Sequence, residues 1–333
     1  MSGTGLGTRR RFLSVGVSAV VVASSLLLVA PDVGARASTR VANPYCGVTA
    51  KAPQYHHVIV IAMENHSYSS VVGTSSSVFV DSLIAKCALA TNDHNVTHYS
   101  LPNYLALTSG MTLAQLGPYV GDCSPTGCSR PVTARSIFAE TVGHGGWRAY
   151  DESMPVPCDR YGSGEYAPRH NPAVYYTALH AGCPLYDIAL GPTSSSSLLR
   201  DFTHEASAPA FAFVTPNLCH DTHDCSVAVG DAWLHTWVSA LVNTPVYRSH
   251  DVAIIVTWDE GEPSSGGENC VANLVDQSCH VAAIIVAPSV HPGTRSALAF
   301  SHYSVLATAE DLLHLPRLNA AVTARSMVAA FNL

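Results

Sequence analysis

Residues 57–67 read His57-Val58-Ile59-Val60-Ile61-Ala62-Met63-Glu64-Asn65-His66-Ser67. His57–Ala62, a short β-branched run followed after Met63 by acid, amide and imidazole, has the pattern of a strand buried on both faces with polar residues beyond its carboxyl end. Phe211–Thr215, Val252–Trp258 and Val281–Ala287 have the same form, and Trp147–Tyr150 is a weaker fifth. Between them, Asn103–Thr108, Ser136–Val142, Asp231–Val242 and Ser304–Leu313 read as helices. Buried strands alternating with helices predict an α/β three-layer sandwich around a doubly wound, mostly parallel central sheet. Ligands of such sheets bind beyond the carboxyl ends of the strands, so the residues after each strand matter most.

Glu64 and Asn65 follow the first strand, Asp221-Thr222-His223-Asp224 come shortly after the 211–215 strand, and Asp259-Glu260 follow the 252–258 strand. His302 comes after the last strand by a loop and just precedes a helix. Taken singly, each residue also fits a helix cap, a solvated loop or a structural histidine. Converging from three strand ends, the carboxylates would repel one another and raise each other's pKa. A divalent cation relieves that repulsion, which is the physical argument for a metal site. A second element is His98-Tyr99-Ser100-Leu101-Pro102-Asn103 at the mouth of a helix. The positive end of the helix dipole favours an alkoxide and binds phosphate oxygens. Ser100 would equally serve as a plain cap with Pro102 in the first turn, and the residues alone leave both readings open.

The first 37 residues read as an export address. Thr8-Arg9-Arg10-Arg11-Phe12-Leu13 is a twin-arginine pattern, an apolar stretch runs from about Val15 to Ala30, and Ala35-Arg36-Ala37 suggests cleavage before Ser38. Residues 38–55 then form an N-terminal extension and 56–333 one catalytic domain, with no long linker or repeat. Losing four arginines and Asp32 with the address takes the formal charge from −7 to −10. That balance leaves no electrostatic case for nucleic-acid or anionic-membrane binding, and nothing in the sequence points to a stable protein partner. The 17 histidines would add positive charge as pH falls through about 6.5. Ten cysteines, all beyond residue 37 and none with zinc-type two-residue spacing, suggest a disulfide framework. Nearest-neighbour pairing closes the shortest loops and is the simplest of many connectivities.

Five segments taken together carry a family likeness: 63–68 (MENHSY), 98–110 (HYSLPNYLALTSG), 215–234 (TPNLCHDTHDCSVAVGDAWL), 256–262 (VTWDEGE) and, in the last third, HVAAIIVAPSVHPGT…SHYSVLATAEDLLHLP within 280–316. In this order they resemble the signature blocks of the bacterial and fungal phosphoesterase family, which includes secreted acid phosphatases and phospholipases C, within the alkaline-phosphatase-like superfamily. The resemblance implies an alkaline-phosphatase-like fold and hydrolysis of phosphate esters, small-molecule or lipid-headgroup, through a phosphoserine on Ser100. It implies Glu64, Asp259 and Glu260 at a metal, with Asp221 at a second ion or the substrate, and Asn65, Asn103 and His170 at phosphate oxygens. His223 and His302 would bind a second ion or serve the leaving group. Glu rather than Asp after the first strand, and Asp-Glu rather than Asp-His at the paired acids, favour Mg²⁺, Mn²⁺ or Ca²⁺ over zinc, as one or two ions.

The compact length favours a phosphomonoesterase of the acid phosphatase kind over a phosphodiesterase or phospholipase C acting on phospholipid headgroups. A metal-free Ser-His-Asp acyl hydrolase is disfavoured because no Gly-x-Ser-x-Gly elbow occurs. A disulfide-stapled cation-binding protein would keep the acids but leave Ser100 without a role.

Overall fold

The computed structural model describes residues 11–14, 16, 43–262 and 267–333. Nine strands build one sheet: β1 His57–Met63, β2 Ala88–His94, β3 Trp147–Asp151, β4 Asp187–Ala189, β5 Phe211–Thr215, β6 Val252–Trp258, β7 His280–Val286, β8 Thr294–Ser296 and β9 Phe300–Ser301. Their spatial order is β4-β3-β5-β1-β6-β7-β2-β8, with β9 also pairing β2. Among them β7 runs antiparallel to both of its neighbours, β6 and β2, and the other pairings are parallel. The carboxyl ends of β5, β1, β6 and β2 therefore lie along one edge.

Every residue of β5, β1 and β6 is buried. These central strands are covered on both faces, which is why they read as continuous apolar runs without alternation. Each fully buried Val or Ile side chain there contributes about 1.5–3 kcal/mol relative to exposure. On the flanks, the Val78–Lys86 helix packs with Val227–Leu241, and the Ser100–Ser109 helix with His302–Leu312. All ten residues of Ser100–Ser109 are buried. That helix stops at Gly110, whose φ of +64° suits glycine, and a Cβ there would lie 2.6 Å from the Leu318 carbonyl oxygen. The architecture is the expected α/β sandwich with a mostly parallel central sheet and helices on both sides.

Five disulfides, Cys46–Cys87, Cys123–Cys128, Cys158–Cys183, Cys219–Cys225 and Cys270–Cys279, follow the nearest-neighbour pairing and use all ten cysteines. Such a framework fits an oxidising compartment. The first of them ties the 43–55 segment to the body of the domain, where Tyr45 and Tyr55 join the core. No helix among the described residues is long and apolar enough to cross a membrane. Nearly all of the 1–37 segment expected to be an export address lies outside the described residues.

Candidate active site

The three strands followed by acids, β5, β1 and β6, are consecutive in the sheet, so their ends meet. Main-chain bonds stitch them together. The Glu64 N–H donates to the Asp221 carbonyl at 2.8 Å, and the Asp259 N–H donates to the Met63 carbonyl at 2.8 Å. Gly230 lets the Val227–Leu241 helix lie against the same place; a Cβ there would fall 2.3 Å from Thr222 Cγ2 and 3.0 Å from Met63 Cε. Thr222 in turn donates its hydroxyl to the Glu64 carbonyl at 2.8 Å.

Ser100 is the first residue of its helix rather than the residue that caps it, and its side chain is not spent on a main-chain amide. Its Oγ donates instead toward Glu64 Oε2 at 3.1 Å and Glu260 Oε1 at 3.5 Å. The cap is supplied from elsewhere: Asp122 Oδ1 accepts the Leu101 N–H at 2.8 Å. With that amide taken and Pro102 having none, the helix end offers a phosphate fewer amides than expected, and Ser100 Oγ is the group left facing the acids.

Glu64, Asp221, Asp259 and Glu260 are all buried. Burial drives the carboxyls of Glu64 and Asp259 well above the usual range, with the charge of Asp259 adding for Glu64 and that of Glu260 adding for Asp259. Burial likewise lifts Asp221 to about 8 and Glu260 to about 9. Asn65 Oδ1 and Asp259 Oδ2 are buried oxygens without a hydrogen-bond donor, and Glu64 Oε1 and Asp221 Oδ2 form no well-aligned hydrogen bond, facing only the two nitrogens of the His170 ring. Orphaned oxygens on mutually repelling carboxyls are a donor set that fits a hard divalent cation. The atoms of Glu64, His170 and His223 approach one another within 4.8 Å, as metal ligands do. Asp259 and Glu260 are not part of that trio.

His170 bridges two acids, with Nε2 3.3 Å from Glu64 Oε1 and Nδ1 3.2 Å from Asp221 Oδ2, and its ring stacks on Tyr104 at 5.4 Å. Burial holds its pKa well below the ordinary histidine value, aided by Arg169. His223 is half-buried, and its N–H donates to Asp221 Oδ1 at 2.7 Å. Its Nδ1 pairs with Asp224 Oδ1 at 2.7 Å while Arg169 Nη2 donates to Nε2 at 3.1 Å, a pattern that fixes the Nδ1–H tautomer. His302 turns Nε2 to the Asp259 carbonyl at 2.5 Å, and burial lowers its pKa to about 4. Asn65 takes a left-handed φ of 42° and donates its N–H to Asp259 Oδ1 at 3.2 Å.

Asn103 differs from expectation. Its Oδ1 accepts from the N–H groups of Val96 and Thr97, and its Nδ2 donates to the carbonyls of Thr97 and Tyr99. The amide is fully used in bracing the segment that leads into Ser100, so it has no capacity left for a phosphate oxygen. Three further residues at the site were given no role by the sequence. His98 is buried, with Nδ1 on Glu260 Oε2. Asp122 caps the Ser100 helix, and Arg169 reaches His223 and lies 3.9 Å from Asp122 Oδ2. The position of His98 two residues before Ser100 was the available signal.

A cavity of about 920 Å³ is lined by residues such as Tyr55, His57, His144 and Leu312. It lies by the amino ends of β1, β3 and β5 and contains none of these acids, so its size says nothing about the site.

The model of the phosphoesterase family matches residues 77–316. The chain is 30% identical over 289 residues to a phosphatidylinositol-3-phosphatase of Mycobacterium tuberculosis, covering 85% of each chain. It is 25% identical to an acid phosphatase of Aspergillus fumigatus over 83% of this chain and 59% of that one. Among solved structures, a protein of the alkaline phosphatase superfamily from Vibrio parahaemolyticus superposes with a TM-score of 0.55 at 12% identity, covering 83% of this chain and 72% of that one. The phosphonate monoester hydrolase of Agrobacterium radiobacter gives 0.54 at 15%, over 83% and 77%. Those structural likenesses show the fold, while the family match and the sequence relatives go further: the chain belongs to the phosphoesterase family and is a phosphoric ester hydrolase.

Proposed function

We propose that the chain is an exported, metal-assisted phosphomonoesterase that transfers the phosphoryl group to Ser100 and then to water. The observation that carries this reading is the Ser100 hydroxyl, freed from capping and directed at Glu64 and Glu260. A cation held by Glu64, Asp259 and Glu260, with Asn65 and Asp221 beside them, would neutralise the acids, polarise the phosphoryl oxygens and favour the serine alkoxide.

The protein groups divide the work as follows. Ser100 Oγ attacks phosphorus as its proton passes to the neighbouring carboxylate, and the ester oxygen leaves opposite. His223 would give that oxygen a proton from Nε2 once the ring is doubly protonated and Arg169 has turned from Nε2 to the phosphate, with Asp224 holding Nδ1. His302 is less suited, because its Nε2 is committed to Asp259, and it serves to position that acid. Water then attacks the phosphoserine, returning Ser100 and releasing phosphate. Arg169 supplies positive charge, and neutral His170 a hydrogen bond, to the equatorial oxygens, where transition-state charge resides. A guanidinium at the site favours a monoester dianion over a diester. The relative named as a phosphatidylinositol-3-phosphatase supports an inositol or lipid-headgroup monoester as substrate. Export rests on the 1–37 address and the five disulfides.

The test is hydrolysis of p-nitrophenyl phosphate against its bis ester, with and without chelator. The monoester is expected to be preferred, chelator to abolish turnover, and Ser100→Ala to lower kcat by about 10⁴-fold or more. Diester preference would move the chain to the phosphodiesterase reading. Full activity in Ser100→Ala would end the serine mechanism.

A further inference from the structure

We propose that Cys270 and Cys279, when reduced, join His98 and Glu268 in a tetrahedral zinc site that closing the disulfide abolishes. The donor atoms of these four residues lie within 4.8 Å of one another. His98 Nε2 is 3.6 Å from Cys270 Sγ and 3.9 Å from Glu268 Oε2, and Cys279 Sγ is 3.9 Å from the same carboxylate oxygen. Zinc bonds of about 2.3 Å to sulfur and about 2.0–2.1 Å to nitrogen or oxygen put the corners of a tetrahedron roughly 3.3–3.8 Å apart. Three of the edges are thus close to ligand spacing already. The two sulfurs, 2.03 Å apart as a disulfide, are the pair that must separate.

Two features prepare this site. His98 is buried and its other ring nitrogen, Nδ1, pairs with Glu260, the carboxylate–histidine arrangement that orients a zinc-bound imidazole. The loop carrying the cysteines is also held by main-chain bonds that do not depend on the disulfide. Gly267 N–H donates to the His98 carbonyl at 2.8 Å, Cys270 N–H to Val96 at 3.1 Å, and Asn95 N–H to Cys279 at 3.1 Å. Cysteine spacing alone hides the site, because the histidine comes from a segment far away in sequence. A second group, Cys158, Cys183 and Asp187, offers three donors rather than four and serves as the control.

The chemistry balances with a small-molecule disulfide as oxidant. The zinc-bound thiolates give up two electrons and form the Sγ–Sγ bond, the oxidant takes two electrons and two protons to become two thiols, and Zn²⁺ departs. A chain that folds in a reducing compartment before export, as the 1–37 address implies, would pass through the zinc-bound form first. Zinc would then hold the His98 segment in place until the disulfide takes over.

The full-length chain is purified anaerobically with a dithiol reductant, loaded with Zn²⁺ and desalted. Bound metal is counted by mass spectrometry, and its ligands are read by X-ray absorption. Two sulfur scatterers per zinc at about 2.3 Å are expected. They should vanish in Cys270→Ser/Cys279→Ser, persist in Cys158→Ser/Cys183→Ser, and be released one zinc per chain by oxidised glutathione. Glu268→Gln, which keeps every thiol, should weaken zinc affinity at least about 10-fold. Zinc bound at the active-site carboxylates would show only oxygen and nitrogen scatter. An absence of zinc–sulfur scatter, or its persistence in Cys270→Ser/Cys279→Ser, overturns the proposal.

Discussion

Asp93 on β2 is fully buried between Val281 and Phe300 of the flanking strands, and neither carboxylate oxygen finds a hydrogen-bond donor. Burial pushes its pKa from 3.8 up to about 8. The folded value exceeds the unfolded one, so the stability this group contributes is fully present below about pH 4. It is lost progressively as pH rises through about 8. Each pH unit within that window is worth about 1.4 kcal/mol. Between about pH 4 and about pH 7 the wild type should therefore lose about 4 kcal/mol that Asp93→Asn, neutral throughout, retains. Urea unfolding of the disulfide-intact protein, followed by circular dichroism at both pH values, measures this double difference, and groups common to both proteins cancel. Parallel pH profiles for the two proteins would refute the reasoning, because Asp93 would then ionise in the fold as freely as outside it.

Asp122→Ala removes the acceptor for the Leu101 N–H and should cost about 1 kcal/mol, seen as a lower Tm. Because that bond fixes the end of the helix bearing Ser100, kcat should fall while KM changes little. Gly230→Ala drives a methyl into Thr222 and Met63 and should cost about 1–3 kcal/mol. Its steady-state kinetics should also suffer, since Thr222 braces Glu64; unchanged kcat would show that the 220–222 turn moves independently of the acids. Glu64→Gln should weaken binding of Mg²⁺ or Mn²⁺ by titration calorimetry, and equal affinity in the variant would remove Glu64 from the cation site.

The central sheet was readable because its strands are buried on both faces. Phe211–Thr215 and Val252–Trp258 match the observed strands at both ends, and the first strand extends by Met63 alone. β2 was not readable: Ala88-Leu89-Ala90-Thr91-Asn92-Asp93-His94 contains a single β-branched residue, and its bulge against β7 breaks the pattern. That strand carries the chain to Ser100, so the depth of the serine relative to the acids was hidden too. The antiparallel sense of β7 left no mark in its composition. Within the site, the acids at strand ends were legible because sheet geometry brings them together. The roles of Asp122, Arg169 and His98 depend on loop paths, and the commitment of Asn103 to main-chain groups depends on the turn before the helix. Neither is encoded in residue spacing.

The most direct test of the central claim is to trap the reaction. The purified chain is mixed with a phosphomonoester at acidic pH, quenched in acid within the first turnovers, digested and analysed by mass spectrometry. One phosphate on the peptide containing Ser100, absent from Ser100→Ala, is the expected result. Rapid turnover with no phosphate on that peptide, or phosphate on another residue, would contradict it.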